Sequence, residues 1–364
     1  MAGQLNTGSA PCDAGGSIDP PGSARGNDPV GIMSESPEAV HSGDGRTGSD
    51  LGSVTAVILT HMRPTLAGDL TRSLIEVEGL AADRIVVVVN GVGGLDDPVL
   101  ESRVRMLRLP ENIGPAGGFK AGMIEAFSDT ATRWAYLCED DIGLLPLPAP
   151  RLKDLIDRIN ARGAHHVGAV VAFGRNFARR GAHTVNIVPP EGTPQDLAAA
   201  DVGSWGATVI SRSVFDAGVL PDTDWYFGLE DFDYYRRVAL AGYEVLVDGV
   251  AARRVAAQQT SIGREEALRR RRPVDVDEAW RAYYHARNSF EIARRHGNPG
   301  WYAWHLAYSI RKFQLAPSGA ERAAIAHGLW DGMRGRLGEN PRYRRRVGEI
   351  DSGTDTGGAP SPAK

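Results

Sequence analysis

Apolar positions divide the chain into three regimes. Residues 1–52 and 351–364 carry Gly, Ser, Pro and Asp with only scattered apolar residues. Such stretches bury too little surface to offset the entropy of ordering, so both are expected to be disordered tails. Between them, short apolar runs alternate with stretches of helical period. Val54–Thr60 is nearly all apolar, as a central strand covered on both faces should be. After a turn at His61–Pro64, the stripe Leu66, Leu70, Leu74 and Val77 predicts a helix over Leu66–Glu78. Ile85–Val89 and Val104–Leu109 read as strands. Pro110–Lys120 is a glycine-rich turn that leads into a helix through Met123, Ile124 and Phe127. Trp134–Ile142 begins as an apolar run and ends in three acids. A helix at Arg151–Arg162 and a strand at His166–Phe173 follow, then a long polar connection, Gly174–Ala200. Gly203–Ile210 reads as a strand containing Trp205, a helix starts near Glu230 and ends at Gly242, and Tyr243–Val247 is a further strand. From Glu278 onward the period is helical, with aromatics at helical spacing (Trp280, Tyr283, Tyr284; Trp301, Trp304, Tyr308, Phe313) that are expected to face a core.

This order predicts an α/β fold: a nested, Rossmann-like mixed sheet flanked by helices over 53–262, then a helical, basic region over 263–350. In open α/β sheets, ligands collect at the carboxyl ends of strands. Two loops would open there. One holds Asn112, Gly114, Gly117 and Gly118, whose small residues let a backbone approach a ligand closely beside a helix N-terminus. The other holds Glu139, Asp140 and Asp141. If the chain stays extended, Glu139 and Asp141 share one side and could grip a hard cation through oxygen. The plain alternative is a charged loop after a strand. A second acidic site, Glu230–Asp231 with Asp233, opens a helix, where acids also serve as simple caps.

Charge and cysteine content narrow the setting. The formal net charge is −4, but residues 264–346 alone carry a net +9. A basic region attracts anions such as a phosphorylated substrate or a membrane surface, and Arg311 and Lys312 lie on the aromatic helix. No nucleic-acid partner is expected. The two cysteines, Cys12 and Cys138, fit neither a disulfide nor a zinc site, and the chain shows no signal peptide and no run approaching the ~20 apolar residues of a membrane span. A cytoplasmic protein that also contacts the inner face of the membrane is expected.

In sequence order, the motifs resemble those of inverting family 2 glycosyltransferases with the nested-Rossmann GT-A fold. Val54–Thr60 with Arg63-Pro64 resembles the opening strand and turn. Asn112-Ile-Gly-Pro-Ala-Gly-Gly118 looks like the family's Asn-x-Gly-x-(Ala/Ser)-Gly-Gly loop. Glu139-Asp-Asp141 stands where the family has its Asp-x-Asp metal signature, and Glu230-Asp231…Arg237…Gly242-Tyr243 resembles its Glu-Asp block. Tyr283-Tyr284…Arg287-Asn288 resembles an element of the rhamnosyl- and galactofuranosyltransferase branch. The resemblance implies transfer of a sugar from a nucleotide-diphosphate donor to a glycan or polyprenyl-linked acceptor, favouring galactofuranose or rhamnose. Asp231 would be the general base, Asp141 with Glu139 would hold Mn2+ or Mg2+, and Thr60, Arg63, Asn90, Asn112, Gly114, Gly117, Gly118 and Asp140 would line the donor site. Glu230 and Trp205 would meet the acceptor. Three positions differ from the family: Glu139 replaces Asp, Val89 with Asn90 stands where an Asp reads the base, and Ala251–Val255, with Arg254, lacks the metal-binding His. Two rivals are a catalytically silent sugar-nucleotide-binding protein and a sugar-phosphate nucleotidyltransferase. The second would need a Gly-rich, basic loop after the first strand, which His61–Pro64 is not.

Overall fold

The structure is a computed structural model and describes residues 51–140, 151–178, 183–257 and 279–344. The described residues all belong to one unit, Gly48–Lys364. Residues 1–50 and 351–364 of the expected tails, the segment 258–278 and Asp141 lie outside the described residues; Leu51 and Gly52 form a 3-10 turn, Leu51–Ser53, at the entry to the first strand.

The valine-rich runs form the centre of an eight-stranded mixed sheet. Its strands are β1 (Val54–Thr60), β2 (Ile85–Asn90), β3 (Arg105–Leu109), β4 (Trp134–Glu139), β5 (Val167–Val171), β8 (Leu197–Ala199), β10 (Thr208–Ser211) and β11 (Glu244–Asp248). The order is β3-β2-β1-β4-β10-β5-β11-β8. All are parallel except β10 and β8, which run against their neighbours. The chain builds outward from β1 in one direction through β2 and β3, then returns to its other side with β4. The carboxyl ends of β1 and β4 therefore flank a topological switch point.

Helices cover both faces, and alternation along each strand decides which core a residue joins. Ala56 and Ile58 face α1 (Pro64–Glu76) and α4 (Leu152–Arg162), packing with Leu70, Leu74, Leu155 and Ile159. Val57 and Leu59 face α3 (Gly114–Phe127) and α6 (Glu230–Leu240), packing with Phe119, Met123, Tyr234 and Val238. The fold class read from the sequence is thus the one observed.

Local boundaries differ for identifiable reasons. Helix α1 begins at Pro64, whose fixed φ suits the first helical position; Leu66 in its first turn is exposed, and Val77 is already the C-cap. A short helix, α2 (Pro98–Arg103), was not visible in the pattern; Asp97 caps it by accepting from the Val99 and Leu100 amides. The polar connection 174–200 contains β6 (Gly174–Ala178), β7 (His183–Asn186) and β8. β6 pairs with β7 and with β9 (Val202–Gly203) in a small antiparallel sheet. The expected strand Gly203–Ile210 is two strands, β9 and β10, broken at a turn where Gly206 and Ala207 have positive φ (102° and 48°). Helix α5 (Arg212–Asp216) follows β10, and residues 249–257 form helix α7.

The C-terminal region is helical as expected: α8 (Ala279–Arg295), α9 (Pro299–Leu315) and α10 (Gly319–Met333). α10 lies close on α8 because Gly328 and Gly332 face the Tyr283 and Arg287 carbonyls; a Cβ there would come within 2.4 and 2.6 Å of those oxygens. The aromatic stripe divides. Tyr283, Tyr284 and Trp301 are buried, whereas Trp304, Tyr308 and Phe313 are exposed, against the expectation of a core face.

Candidate active site

Both predicted loops lie at the carboxyl edge of the sheet, where neighbouring residues engage many of their polar groups. Thr60, the last residue of β1, donates to Asp140 Oδ2 at 2.6 Å, and Arg63 pairs with Asp140 Oδ1 at 2.5 Å. This knits the first β–α turn to the end of β4. Asp140, expected to contact the donor, already has both oxygens engaged and is 5% exposed.

Asn90, at the end of β2, likewise uses both ends of its amide. Its Nδ2 donates to the Gly114 carbonyl and its Oδ1 accepts from the Ile113 amide, each at 3.0 Å. Asn112 accepts from the Gly114 amide at 2.9 Å. The glycine motif starts α3 rather than preceding it, and the helix presses its glycines onto neighbours. A Cβ on Gly118 would sit 2.3 Å from Leu59, one on Gly117 2.7 Å from Ile113, and one on Gly114 2.0 Å from the Tyr226 carbonyl. These glycines let α3 pack closely on its neighbours.

Of the acids, Glu139 reaches an open cleft, while Glu230 and Asp231 lie deeper. Glu139 ends β4 and lines a cleft of about 280 Å³ together with Arg175, Asn186, Ser204, Trp205 and Val255. Glu230 and Asp231 begin α6 beside it. Glu230 is 5% exposed, and its Oε2 has no hydrogen-bond partner. Burial, then the charge of Asp231 and also that of Glu139, pushes its carboxyl well above the ordinary range. Burial likewise pushes Asp231 up to about 6, against the pull of the Phe232 amide, the Arg175 charge and the Ser204 hydroxyl. Asp231 Oδ1 accepts from the Phe232 amide at 2.8 Å. A carboxyl held well above its ordinary range thus adjoins one raised to about 6, an arrangement suited to proton transfer.

Asp233 belongs to the frame. Arg237 donates to it at 2.8 Å and His296 lies 3.2 Å away; although burial opposes them, these contacts hold its carboxyl below the ordinary range. Trp205 is packed by Phe119, Tyr234 and Tyr235 at centroid distances of 4.9, 5.3 and 5.5 Å and is 6% exposed, yet it also contributes to the cleft lining. Trp225 is fully buried beneath Arg295. Arg175 and Ser204, which act on the raised Asp231 carboxyl, carry no signal in the sequence: Arg175 lies in the polar connection and Ser204 in a run that reads as a plain strand.

A divalent cation needs several oxygen ligands converging on one point. Among the described residues, no group of three or more His, Cys, Asp or Glu side chains is arranged to hold a metal ion. Glu139 stands at the expected place and Asp141 lies outside the described residues, so the described set does not by itself fit a cation.

No family model matches the chain, and no curated protein does. Among solved structures, the crystal structure of A197 from STIV aligns at 8% identity with a TM-score of 0.30, covering 53% of this chain and 81% of that one. A likeness of that degree says nothing about function.

Proposed function

We propose that the chain is an inverting glycosyltransferase that moves a sugar from a nucleotide-diphosphate donor to an acceptor hydroxyl. The observation that carries this reading is Asp231, a carboxylate raised to about 6, next to the buried Glu230 and acted on by Arg175 and Ser204, which line a cleft with Glu139 at a strand end. The sheet order, with antiparallel β10 inserted between β4 and β5, suits the expected GT-A fold, and the order of motifs in the sequence favours galactofuranose or rhamnose as the sugar.

The chemistry follows from the side chains. Asp231 accepts the proton of the acceptor hydroxyl as that oxygen bonds to the anomeric carbon. The bond from that carbon to the diphosphate oxygen breaks, its electron pair leaves with the diphosphate, and a single displacement inverts the centre. Glu230, whose burial favours its protonated form, would orient the acceptor. Arg175 places a positive charge at the cleft. The cation expected at Glu139 and Asp141 would neutralise the leaving diphosphate. A glycan or polyprenyl-linked molecule is the proposed acceptor.

Calorimetry with UDP-galactofuranose and dTDP-rhamnose, with and without Mn2+, comes first, followed by a transfer assay on wild type and Asp231→Asn. Donor binding by both proteins, with turnover reduced about 10²- to 10⁴-fold in the variant, supports the reading. Equal donor binding with no turnover by wild type moves the silent-binder reading ahead.

A further inference from the structure

The loop between Trp225 and Glu230 has an unusual backbone. Tyr226, Gly228 and Leu229 have φ of +60°, +81° and +67°. For Tyr and Leu this conformation costs on the order of 1–3 kcal/mol each, and it persists only where surroundings impose it. The loop leads directly into Glu230 and Asp231. Its Tyr226 carbonyl also forms the wall against which Gly114 opens α3. One short segment therefore touches both the acidic pair and the glycine motif.

Two adjacent side chains of α8 supply the constraint. Arg287 is 1% exposed, and its Nη2 donates to the Trp225 carbonyl at 2.8 Å. Its Nη1 donates to the Gly338 carbonyl and its Nε to Asn288 Oδ1, at 2.5 and 2.7 Å. Its charge lies 4.7 Å from the Tyr284 ring centroid and 5.6 Å from that of Tyr283, and no carboxylate forms an ion pair with it among the described residues. Asn288 is 0% exposed, and its Nδ2 donates to the Phe227 and Gly228 carbonyls at 2.8 and 2.6 Å. A buried guanidinium is costly unless its donors are satisfied, and here carbonyls and ring faces satisfy it. Three successive parts of the loop, at 225, 227 and 228, are thus held from one turn of α8.

We infer that Arg287 and Asn288 are positioning residues: α8 clamps the 225–229 loop through its carbonyls, and so sets where Glu230–Asp231 and the start of α3 stand relative to each other. The inference rests on the transferase reading for its effect on rate but not for the clamp itself. It gives the C-terminal helices a direct part in the site, although none of their side chains lines the acidic cleft.

The test uses the full chain and follows amide hydrogen exchange over 225–231 in wild type, Asn288→Ala, Asn288→Asp, Arg287→Lys and the control Phe290→Ala. Asn288→Asp is isosteric, keeps an acceptor for Arg287 Nε, and removes both donations to the loop; it serves if Asn288→Ala does not fold. Phe290 is buried on α8 and touches none of the loop carbonyls. The clamp predicts exchange about tenfold faster or more at 225–231 in the Arg287 and Asn288 variants and unchanged in Phe290→Ala, even where melting temperatures fall equally. With an active donor, kcat falls about 100-fold while KM stays within about threefold. Exchange that is no faster than in the control, or a kcat loss that only tracks melting temperature across all variants, overturns the clamp. If wild type transfers no sugar, the transferase reading fails, and the exchange measurement alone still decides the clamp.

Discussion

Asp231 and Asp233 stand two residues apart on one helix and are held in opposite states. Asp233 meets Arg237 and His296 and is held as an anion. Asp231 is enclosed and is raised to about 6. Two pH effects follow. If Asp231 is the base, kcat/KM rises with pH through about 6, because only the carboxylate accepts a proton. Stability moves the other way. Between the unfolded value, about 3.8, and about 6, the folded chain binds more protons than the unfolded one, so this group's contribution falls as pH rises through that window. Asp231→Asn should therefore raise the melting temperature at pH 7 to 8, by the equivalent of on the order of 1–3 kcal/mol, while abolishing most turnover. A variant that is less stable than wild type at pH 8 would contradict the burial argument, whatever its activity.

Among the elements, α3 shows how far the sequence could be read. Its glycines stood out, and so did the helix that carries them. Their work could not be read, because Gly114 is required by the Tyr226 carbonyl, which lies 112 positions further along and belongs to a loop with no periodic pattern. The same holds for Trp205, whose ring is covered by residues of α3 and α6. Strands β1, β2 and β4 were legible because strands buried on both faces are apolar at nearly every position. The antiparallel pair β6 and β7 was not, because these strands are only half-buried and mix polar with apolar residues. The α3 contact can be measured. Gly114→Ala meets both a positive φ of 78° and a carbonyl 2.0 Å from the new Cβ, whereas Gly79→Ala meets a φ of 75° with nothing within 4 Å. Gly79→Ala should cost about 1 kcal/mol and Gly114→Ala at least about 2 kcal/mol more, in denaturant unfolding. Equal costs would show that the loop moves freely away from α3.

At the scale of the molecule, α9 stands apart. A helix that is apolar nearly all round is normally enclosed. α9 buries only Trp301 and Ser309, while Trp304, Tyr308, Ile310, Phe313 and Leu315 are 39–66% exposed. Its 17 residues include no acid, and Arg311 and Lys312 supply its charge. No helix among the described residues is long and apolar enough to cross a membrane. Aromatic side chains beside two cations, with Glu321 of α10 lining the same groove, match the headgroup region of an anionic bilayer. The proposed partner of this face is accordingly a membrane surface, which would also bring a polyprenyl-linked acceptor to the protein. The expected result is co-sedimentation with vesicles of phosphatidylglycerol and phosphatidylcholine at low salt, and none with phosphatidylcholine alone. Removing Arg311 or Lys312 by Gln should weaken binding by about 1 kcal/mol each, roughly fivefold, and salt should weaken it further. Trp304→Ala with Phe313→Ala should reduce it more steeply, because both rings would sit at the acyl boundary. A chain that ignores anionic vesicles, yet forms a dimer that Trp304→Ala dissolves, would assign the same face to a second copy of itself.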